Sequence, residues 1–285
     1  MVIRIKKSIA VLSVAFLCVL PVISVGINIV PVLSIQSGDR LPVVMYHQLT
    51  TDKSRSGKYV LTVEQFEKDL IYLKENGYSS VTLAQLFDYS EGNGSMPQKP
   101  VVITFDDGCE TVYTYALPLL EKYGFNAVCF IIGAVTDKYS GINDHNLAYS
   151  NLNWDEVKEL CNGGVIDIQS HTYDLHSNTK GRNGMKKLKT ETFEQYSEFL
   201  SSDGLKMKEK MIENTGTPPV AIAYPFGSFS KESAGILKNC GIKATFTCEE
   251  KVNIIKKAES DWLFGLGRYN RPEGISSESF FNKWE

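Results

Sequence analysis

The sequence lacks any excess of basic residues. Its 30 Lys and Arg residues are balanced by 33 Asp and Glu residues, which gives a formal net charge of −3. Proteins that bind nucleic acid usually present a basic surface, so this balance argues against a nucleic-acid partner. With 285 residues, 43% of them hydrophobic, the chain can bury one sizeable core. One catalytic domain plus a targeting segment is the simplest organisation.

Cysteine is scarce and lacks metal-binding spacing. The six cysteines lie at positions 18, 109, 129, 161, 240 and 248, and no CxxC pair occurs among them, which argues against a zinc ribbon. Cys18 falls in an apolar N-terminal segment, and the other five cannot all pair within one chain. We expect mostly buried free thiols, with a disulfide left open. Cys109 has no nucleophile signature, which favours a packing role.

Charge is absent from residues 8–35, and Arg4, Lys6 and Lys7 precede them. About 20 apolar residues span a bilayer as a helix, and basic residues before such a helix favour a cytoplasmic N-terminus. The pattern predicts a membrane anchor at residues 1–35 and a catalytic domain at residues 36–285. The protein would then be a single-pass protein of the cell membrane with an extracytoplasmic domain. A cleaved signal peptide, which would make the protein secreted, is the alternative.

Apolar strand-like runs alternate with amphipathic helices beyond residue 40. Strands are predicted at residues 43–46, 101–105, 127–132, 166–169, 220–224 and 244–247. Helices are predicted from Thr62 to Gly77, from Thr82 to Tyr89, and at residues 116–123, 155–161, 191–214 and 231–238, with a break near Gly204. This alternation implies an α/β fold with a parallel sheet, and the number of repeats favours a closed or nearly closed barrel. Such enzymes place their chemistry where strands end.

Two adjacent carboxylates, Asp106 and Asp107, follow the strand predicted at residues 101–105. Neighbouring carboxylates repel each other and lose hydration near a core, and a cation is the simplest compensation. Gly108 lets the backbone turn so that both side chains can address one pocket. One carboxylate could then bind metal while the other handles protons. An ordinary Asp-Asp-Gly turn is the alternative.

Histidine is rare, with only four in the chain, and three of them lie at predicted strand ends. His171 and His176 follow the strand at residues 166–169, and His47 follows the first strand. On a helix, five positions would leave the imidazoles about 140° apart, so the pair converges only from a strand end and loop. Two imidazoles and a carboxylate are a suitable ligand set for a catalytic divalent cation with open positions. Surface histidines are the alternative.

Taken together, these residues resemble the polysaccharide deacetylases of carbohydrate esterase family 4 over roughly residues 40–270. The first family motif matches the sequence around Asp106 and Asp107, which implies a catalytic base followed by a metal ligand. The second motif resembles the sequence around His171 and His176, which implies two further metal ligands. Their five-residue step is similar to the branch that acts on poly-N-acetylglucosamine exopolysaccharides.

The resemblance implies a distorted (β/α) barrel of the polysaccharide deacetylase type. The implied activity is removal of N-acetyl groups from an amino-sugar polysaccharide, either an exopolysaccharide or peptidoglycan. The implied cofactor is one divalent cation, Zn²⁺ with Co²⁺ or Ni²⁺ as alternatives, and the implied state is a monomer. A catalytically silent glycan-binding protein on the same scaffold and another type of metal hydrolase remain the alternatives.

The third family motif, a wall of the active-site groove, resembles the sequence from Ala223 to Gly227. The likeness assigns substrate contacts to Tyr224, Pro225 and Gly227, and it assigns to the Phe226 backbone N–H the role of holding the oxyanion.

Two departures from the family pattern concern this motif and the late histidine. Ala223 stands where the family often has an Arg that steadies the catalytic Asp. Arg268 is a candidate for that role and also for a contact with the substrate. A solvent-exposed Arg is the alternative. No histidine follows His176, so the late histidine motif is missing. His47, in a Met-Tyr-His sequence, resembles the early histidine that serves as general acid in the exopolysaccharide branch. His145 is predicted to be a loop residue without a catalytic role.

The resulting hypothesis is metal-assisted amide hydrolysis. A cation held by Asp107, His171 and His176 activates water, and Asp106 takes the proton of that water. The cation and the Phe226 backbone N–H then stabilise the oxyanion, and His47 protonates the departing amine.

Overall fold

The main sheet is parallel and follows a single path of eight strands within the part of the chain that the structure describes. This structure is a computed structural model, and it describes residues 40–142, 144–179 and 181–284. Along the path the order is β7-β6-β5-β4-β3-β2-β1-β8, and every neighbouring pair is parallel. The strands are β1 (Val43–Tyr46), β2 (Pro100–Phe105), β3 (Ala127–Ile131), β4 (Ile166–Ser170), β5 (Ala221–Ala223), β6 (Ala244–Phe246), β7 (Phe264–Leu266) and β8 (Tyr269–Asn270).

The two ends of this path are joined by a dipeptide. β7 and β8 lie at opposite ends of the strand order, yet only Gly267 and Arg268 separate them in the sequence. The sheet must therefore curl until its edges approach each other. The prediction of a nearly closed (β/α) barrel is confirmed, whereas a fully closed ladder is not present among the described strands, because β7 and β8 do not pair.

Helices follow most strands, and several of them start at side chains that the sequence marks as caps. They are α1 (Val63–Glu75), α2 (Leu83–Ser90), α3 (Leu117–Tyr123), α4 (Gly133–Ser140), α5 (Trp154–Gly163), α6 (Phe193–Thr215), α7 (Ser233–Asn239) and α8 (Ser277–Phe281). The Thr82 hydroxyl accepts from the Gln85 N–H while the Gln85 side chain accepts from the Thr82 N–H. Asn153 and Glu156 cap α5 in the same reciprocal way.

Shorter elements connect these units. Arg40–Leu41 pairs with Asn253–Ile254, Gln48–Thr50 with Val60–Thr62, Asn178–Thr179 with Arg182–Asn183, and Ser79–Ser80 with the start of β2. A π-helical segment, Val112–Ala116, precedes α3, and short 3-10 turns lie at Lys53–Arg55, Pro225–Gly227, Asp261–Leu263 and Asn282–Trp284.

The predicted break in the long helix is wrong, because α6 continues through Gly204. At this position a side-chain β-carbon would lie 3.7 Å from the Cys240 sulfur at the end of α7. This is an ordinary van der Waals distance, so α7 packs beside α6 at Gly204, and the modest intrinsic helix cost of one glycine does not interrupt the helix.

Alternation along the strands separates two apolar layers. Ile103 and Cys129 pack in the cluster that includes residues of α1, α3 and α5, on the outer side of the sheet. Val102 and Phe130 belong to the cluster on the opposite face. Side chains point to alternate faces, so Asp106, four residues after Val102, continues the inner row beyond the end of β2.

No helix within residues 40–142, 144–179 and 181–284 is long and apolar enough to cross a membrane. α6 has 23 residues but carries charged side chains along its length, among them Glu198, Lys206 and Glu213. The predicted transmembrane helix and single-pass membrane location are corrected on this finding. Residues 1–35, on which that prediction rested, lie outside the described residues.

Cysteines in the described part of the chain are free thiols. Cys129 is fully buried in β3, whereas Cys109, Cys161 and Cys240 are half-buried and Cys248 is exposed. The expectation of free thiols is met, and that of general burial is met only at Cys129.

Candidate active site

One cavity of about 500 Å³ opens at the carboxyl ends of the central strands. The ends of neighbouring parallel strands lie along one edge of the sheet, which brings together residues distant in sequence. Six of the residues predicted for catalysis and metal binding line this cavity: His47, Asp106, Asp107, His171, His176 and Phe226. The remaining lining residues are Met45, Lys58, Tyr59, Cys248, Glu250 and Asn270.

Asp107, His171 and His176 converge on one point. Nε2 of His171 and Nε2 of His176 lie 3.5 and 3.3 Å from Oδ1 of Asp107. This oxygen is buried and has no hydrogen-bond partner among the described residues. A buried acceptor without a donor is costly, and a cation between the three groups would satisfy it. One carboxylate and two imidazoles fit a divalent metal centre that keeps positions open.

The turn that carries Asp107 is held in an unusual backbone conformation. Asp107 and Gly108 have φ angles of 70° and 67°, in the left-handed region. The Asp107 carbonyl accepts a hydrogen bond of 2.7 Å from the Asn151 side-chain amide, and the Gly108 carbonyl accepts from the Leu152 N–H. Positive φ at a residue other than glycine is uncommon and persists only where the surroundings enforce it. Here it accompanies an Asp107 side chain that lines the same cavity as Asp106.

His171 is oriented by a hydrogen bond on its far side. Nδ1 lies 2.8 Å from the carbonyl oxygen of Ala223. Because a carbonyl can only accept, Nδ1 carries the proton and Nε2 presents its lone pair towards Asp107. Burial lowers the pKa of His171, more than the nearby carboxylates Asp106 and Asp107 raise it. Ala223 therefore contributes a backbone group to the site, at the position where the family often has an Arg.

Asp106 is paired with Arg268 beneath the cavity. Nη1 and Nη2 of Arg268 lie 2.6 and 2.7 Å from the two carboxylate oxygens, and both side chains are buried. Nε of Arg268 donates to the Thr247 carbonyl. Burial alone would raise the pKa of Asp106, but Arg268, with His171 and His47, holds this pKa well below its usual range.

The placement of Arg268 decides whether it is a solvent-exposed arginine or the partner of Asp106. Its exposed fraction is 0%, so it is not a surface arginine. It contacts the carboxylate that it was expected to steady. Arg268 does not line the cavity, and its assignment to substrate contact stays a prediction.

His47 follows β1 and packs against Tyr59, with ring centroids 4.8 Å apart. Its Nδ1 is buried and lacks a hydrogen-bond partner among the described residues. Burial lowers the pKa of His47, although Asp106 and Asp107 oppose this effect. His47 is therefore neutral near pH 7 in the free protein.

The segment Pro225–Gly227 divides between cavity and core. Phe226 has a φ of 58° and a 48% exposed side chain, and its ring centroid lies 4.5 Å from that of His176. Tyr224 is buried and stacks on Phe229 with centroids 4.5 Å apart. Pro225 is also buried, and Gly227 abuts Cys248.

Three residues predicted to contact the substrate lie outside the cavity lining, and their assignment to substrate contact stays a prediction. Tyr224, Pro225 and Gly227 do not line the cavity. The 3-10 turn directs the Phe226 side chain outwards and leaves its two neighbours to shape the turn and fill the core.

The sequence did not mark several lining residues. Lys58 and Tyr59 precede Val60–Thr62, Cys248 and Glu250 follow β6, and Asn270 lies in β8. Tyr59 is 49% exposed beside His47. These residues reach the cavity because loops fold over the strand ends. Residue spacing along the chain does not predict how those loops fold.

The curled parallel sheet and the Asp-His-His cluster at its carboxyl edge define a (β/α)-barrel protein with a candidate metal centre. The chain belongs to the polysaccharide deacetylase family, whose model matches residues 93–245. That stretch contains Asp106, Asp107, His171 and His176. His47 and Arg268 lie outside it.

Curated relatives include the poly-β-1,6-N-acetyl-D-glucosamine N-deacetylases of Staphylococcus epidermidis and Staphylococcus aureus strain MSSA476. Each is 31% identical over 193 residues, which is 68% of this chain. The aligned region spans 63% of the S. epidermidis protein and 62% of the S. aureus protein.

Solved structures show the same fold. A de-N-acetylase from Aggregatibacter actinomycetemcomitans has a TM-score of 0.72 at 25% identity, and the match covers 87% of this chain and 100% of that one. IcaB from Ammonifex degensii has a TM-score of 0.68 at 25% identity, covering 87% of this chain and 94% of that one.

Proposed function

We propose that the protein is a metal-dependent N-deacetylase whose substrate is poly-β-1,6-N-acetylglucosamine. The observation that carries this proposal is the shared cavity in which Asp106 stands beside the Asp107, His171 and His176 cluster. The names of the staphylococcal relatives support the choice of glycan. A cleft that opens at the strand ends is the usual place for barrel-enzyme chemistry.

The proposed cation is held by one oxygen of Asp107 and by Nε2 of His171 and His176. Nitrogen and oxygen donors of this kind suit Zn²⁺, with Co²⁺ and Ni²⁺ as alternatives. When bound, a divalent cation supplies Lewis acidity for the acetamide carbonyl and lowers the pKa of a water molecule. The hydrogen bond from His171 to the Ala223 carbonyl fixes the ring orientation for this role.

Asp106 is assigned as the base that accepts the proton of the attacking water. Arg268 keeps its carboxylate ionised at neutral pH, which is the form that can accept a proton. Each carboxylate oxygen retains a further lone pair beyond the one used by Arg268. The bidentate pair also fixes the direction of those lone pairs.

His47 and the Phe226 backbone complete the proposed chemistry. The Phe226 N–H is assigned to hold the oxyanion, and His47 is assigned to protonate the departing amine. Because His47 is neutral in the free protein, it must take up a proton before the amine leaves. The carboxylates of Asp106 and Asp107 favour that uptake.

Two exposed aromatic side chains flank the cavity. Tyr59 is 49% and Phe226 is 48% exposed, and both line the cavity. Rings in such positions provide flat apolar faces for the C–H groups of a sugar, and the Tyr59 hydroxyl remains available for hydrogen bonding.

Acetate release tests the proposal directly. The purified full chain is incubated with poly-β-1,6-N-acetylglucosamine, chitin oligomers and peptidoglycan, each with and without a chelator. We expect acetate from the first substrate, lost with chelator and restored by Zn²⁺. Release from another glycan alone would correct the substrate, and release that resists chelation would reject the metal. Glycan binding without any release would identify a silent binding protein on this scaffold.

A further inference from the structure

A second group of potential metal ligands lies outside the active site. It comprises Glu110, His145 and Glu156, whose ligand atoms all lie within 4.8 Å of one another. The group shares no residue with the Asp107 cluster. Glu110 follows the turn after β2, His145 belongs to a loop, and Glu156 lies in the first turn of α5.

Glu110 has one satisfied and one unsatisfied carboxylate oxygen. Its side chain is 6% exposed, and Oε1 lies 2.7 Å from Nδ1 of His145. Oε2 is buried and has no hydrogen-bond partner within the described ranges. Burying a carboxylate oxygen without a donor is unfavourable, and native proteins usually satisfy such an atom with a donor, a water molecule or a cation.

Glu156 brings a second carboxylate to the same place. One of its oxygens, Oε2, accepts from the Asn153 N–H at 3.0 Å in the capping box of α5. Burial raises the pKa of Glu156, the bond from Asn153 lowers it, and the charge of Glu110 raises it further. Two carboxylates and one imidazole thus place ligand atoms within 4.8 Å of one another, and a divalent cation would relieve the repulsion between the carboxylates.

We propose that Glu110, His145 and Glu156 form a second divalent-cation site, distinct from the active site and suited to Zn²⁺. Carboxylate and imidazole donors match this ion. His145 is 51% exposed, which gives an ion access from solvent and leaves room for water as a further ligand. His145, predicted from the sequence to be a loop residue without a catalytic role, would then have a structural role as a metal ligand.

Hydrogen bonds connect this site to the turn that holds Asp107. The Glu110 N–H donates to the Ser150 carbonyl at 3.0 Å. The Asn151 side chain donates to the Asp107 carbonyl, and the Leu152 N–H donates to the Gly108 carbonyl. An ion shared by the loop, α5 and Glu110 would therefore fix the segment at residues 144–152 against the Asp107 turn.

Zinc binding by the full chain tests the inference with a readout that needs no activity. The H171A/H176A variant removes the active-site imidazoles, and we expect it to retain one bound Zn²⁺ per chain in equilibrium dialysis with elemental analysis. Adding E156Q should weaken that binding at least about tenfold, because glutamine preserves the capping box but lacks the charge. H145A should have the same effect.

Glu159→Gln is the matched control. Glu159 is an exposed residue on the same helix, three positions further along, and its substitution makes the same change in charge. It should leave zinc binding intact. Equal binding by the E156Q and E159Q variants, or no zinc on H171A/H176A, overturns the second site. If H171A/H176A does not fold, the comparison is made in the wild-type background, where E156Q should reduce the stoichiometry from two to one and an unchanged stoichiometry overturns the proposal.

The result is independent of the proposed enzyme. A chain that releases no acetate can still bind zinc through Glu110, His145 and Glu156. A chain that deacetylates normally can lack the site.

Discussion

Arg268 forms a bidentate ion pair with Asp106, with nitrogen-to-oxygen distances of 2.6 and 2.7 Å. Arg268 lies in the dipeptide between β7 and β8, and Asp106 follows β2 on the central part of the sheet. The segment that joins the two edges of the curled sheet thus supplies the counter-charge for the proposed base. Barrel closure and ionisation of Asp106 depend on the same contact.

Arg268→Gln should both destabilise the fold and raise the pKa of Asp106. The substitution leaves a buried carboxylate without its partner, and losing one member of a buried pair costs about 3–5 kcal/mol. The free energy of unfolding from urea titration measures the first effect. The second should appear as an acidic limb of the rate profile that moves to higher pH, because burial then acts on Asp106 without the opposing charge.

Arg271→Gln is the control for this prediction. Arg271 pairs with Asp69, and both side chains are fully buried, but neither lines the active-site cavity. The control should lose comparable stability and keep the position of the acidic limb. Identical pH profiles for the two variants would contradict the assignment of Arg268 to Asp106.

In the wild type, the Asp106–Arg268 pair stabilises the fold over a defined pH range. The folded-state pKa of Asp106 lies below its unfolded value of about 3.9, so its stabilising contribution is present above that value. It disappears only as the pH falls through the folded-state pKa. Neutral and mildly acidic solutions should therefore leave this contribution intact.

Sequence periodicity predicted the central strands well because they are buried on both faces. β1 is found at Val43–Tyr46 as predicted, and β3 differs from its predicted range by one residue. Asp106, Asp107, His171 and His176 line one cavity because each lies at or after the end of such a strand. Pairing across the sheet was harder to predict, because the contact of Arg268 with Asp106 spans 162 positions.

Local side-chain directions were the least predictable feature. The motif around Tyr224 gave no sign that its ring would stack in the core while Phe226 turned outwards, since the 3-10 turn decides this. Gly204 resembled a helix break, but α6 continues through it and packs beside the end of α7. These outcomes depend on packing between elements rather than on residues within one element.

His171 and His176 together should be required for metal binding at the active site. Replacing both by Ala removes two of three ligands and leaves Asp107 alone. We expect the zinc bound at this site to be lost, as measured by elemental analysis after dialysis against a weak chelator. Full retention of that ion would reject the ligand set, and the Glu156→Gln variant separates it from zinc at the second site.

Asp106→Asn should separate chemistry from metal binding. Asn keeps the shape of the side chain but cannot accept the proton of water, so turnover should fall by about 100-fold or more. Bound metal should be unchanged, because the ligands are Asp107 and the two histidines. A wild-type rate of acetate release from this variant would rule out Asp106 as the base.

Asp203 should make stability depend on pH in the mildly acidic range. Its carboxylate accepts from the N–H groups of Tyr173 and Asp174, both at 2.8 Å, between the two cluster histidines. Burial raises its pKa to about 6, although the two backbone bonds oppose this. The stability that protonated Asp203 contributes is fully present below its unfolded-state pKa of about 3.9. This contribution is lost as the pH rises through the folded-state pKa of about 6.

Comparison of Asp203→Asn with wild type tests this expectation. Asn retains an acceptor oxygen and does not titrate. The free energy of unfolding of the wild type, relative to the variant, should decrease between about pH 4 and about pH 6. Parallel stability profiles across that range would show that Asp203 is not the titrating group.

Gly108→Ala should damage the metal site as well as the fold. Gly108 has a φ of +67°, and an added β-carbon would lie 2.9 Å from Cγ2 and 3.3 Å from Cα of Ile131. Ile131 accepts from the His171 N–H at 2.8 Å, so a shift of Ile131 moves a proposed ligand.

Gly124→Ala is the matched control, because Gly124 has a φ of +76° with no atom within 4 Å of the added carbon. Both variants should lose about 1–2 kcal/mol for left-handed backbone, whereas G108A alone should lose about 1–3 kcal/mol more through overpacking and bind zinc more weakly. Urea unfolding and zinc titration of the two variants measure these effects, and equal losses of stability with equal zinc affinity would show that the close approach to Ile131 does not support the site.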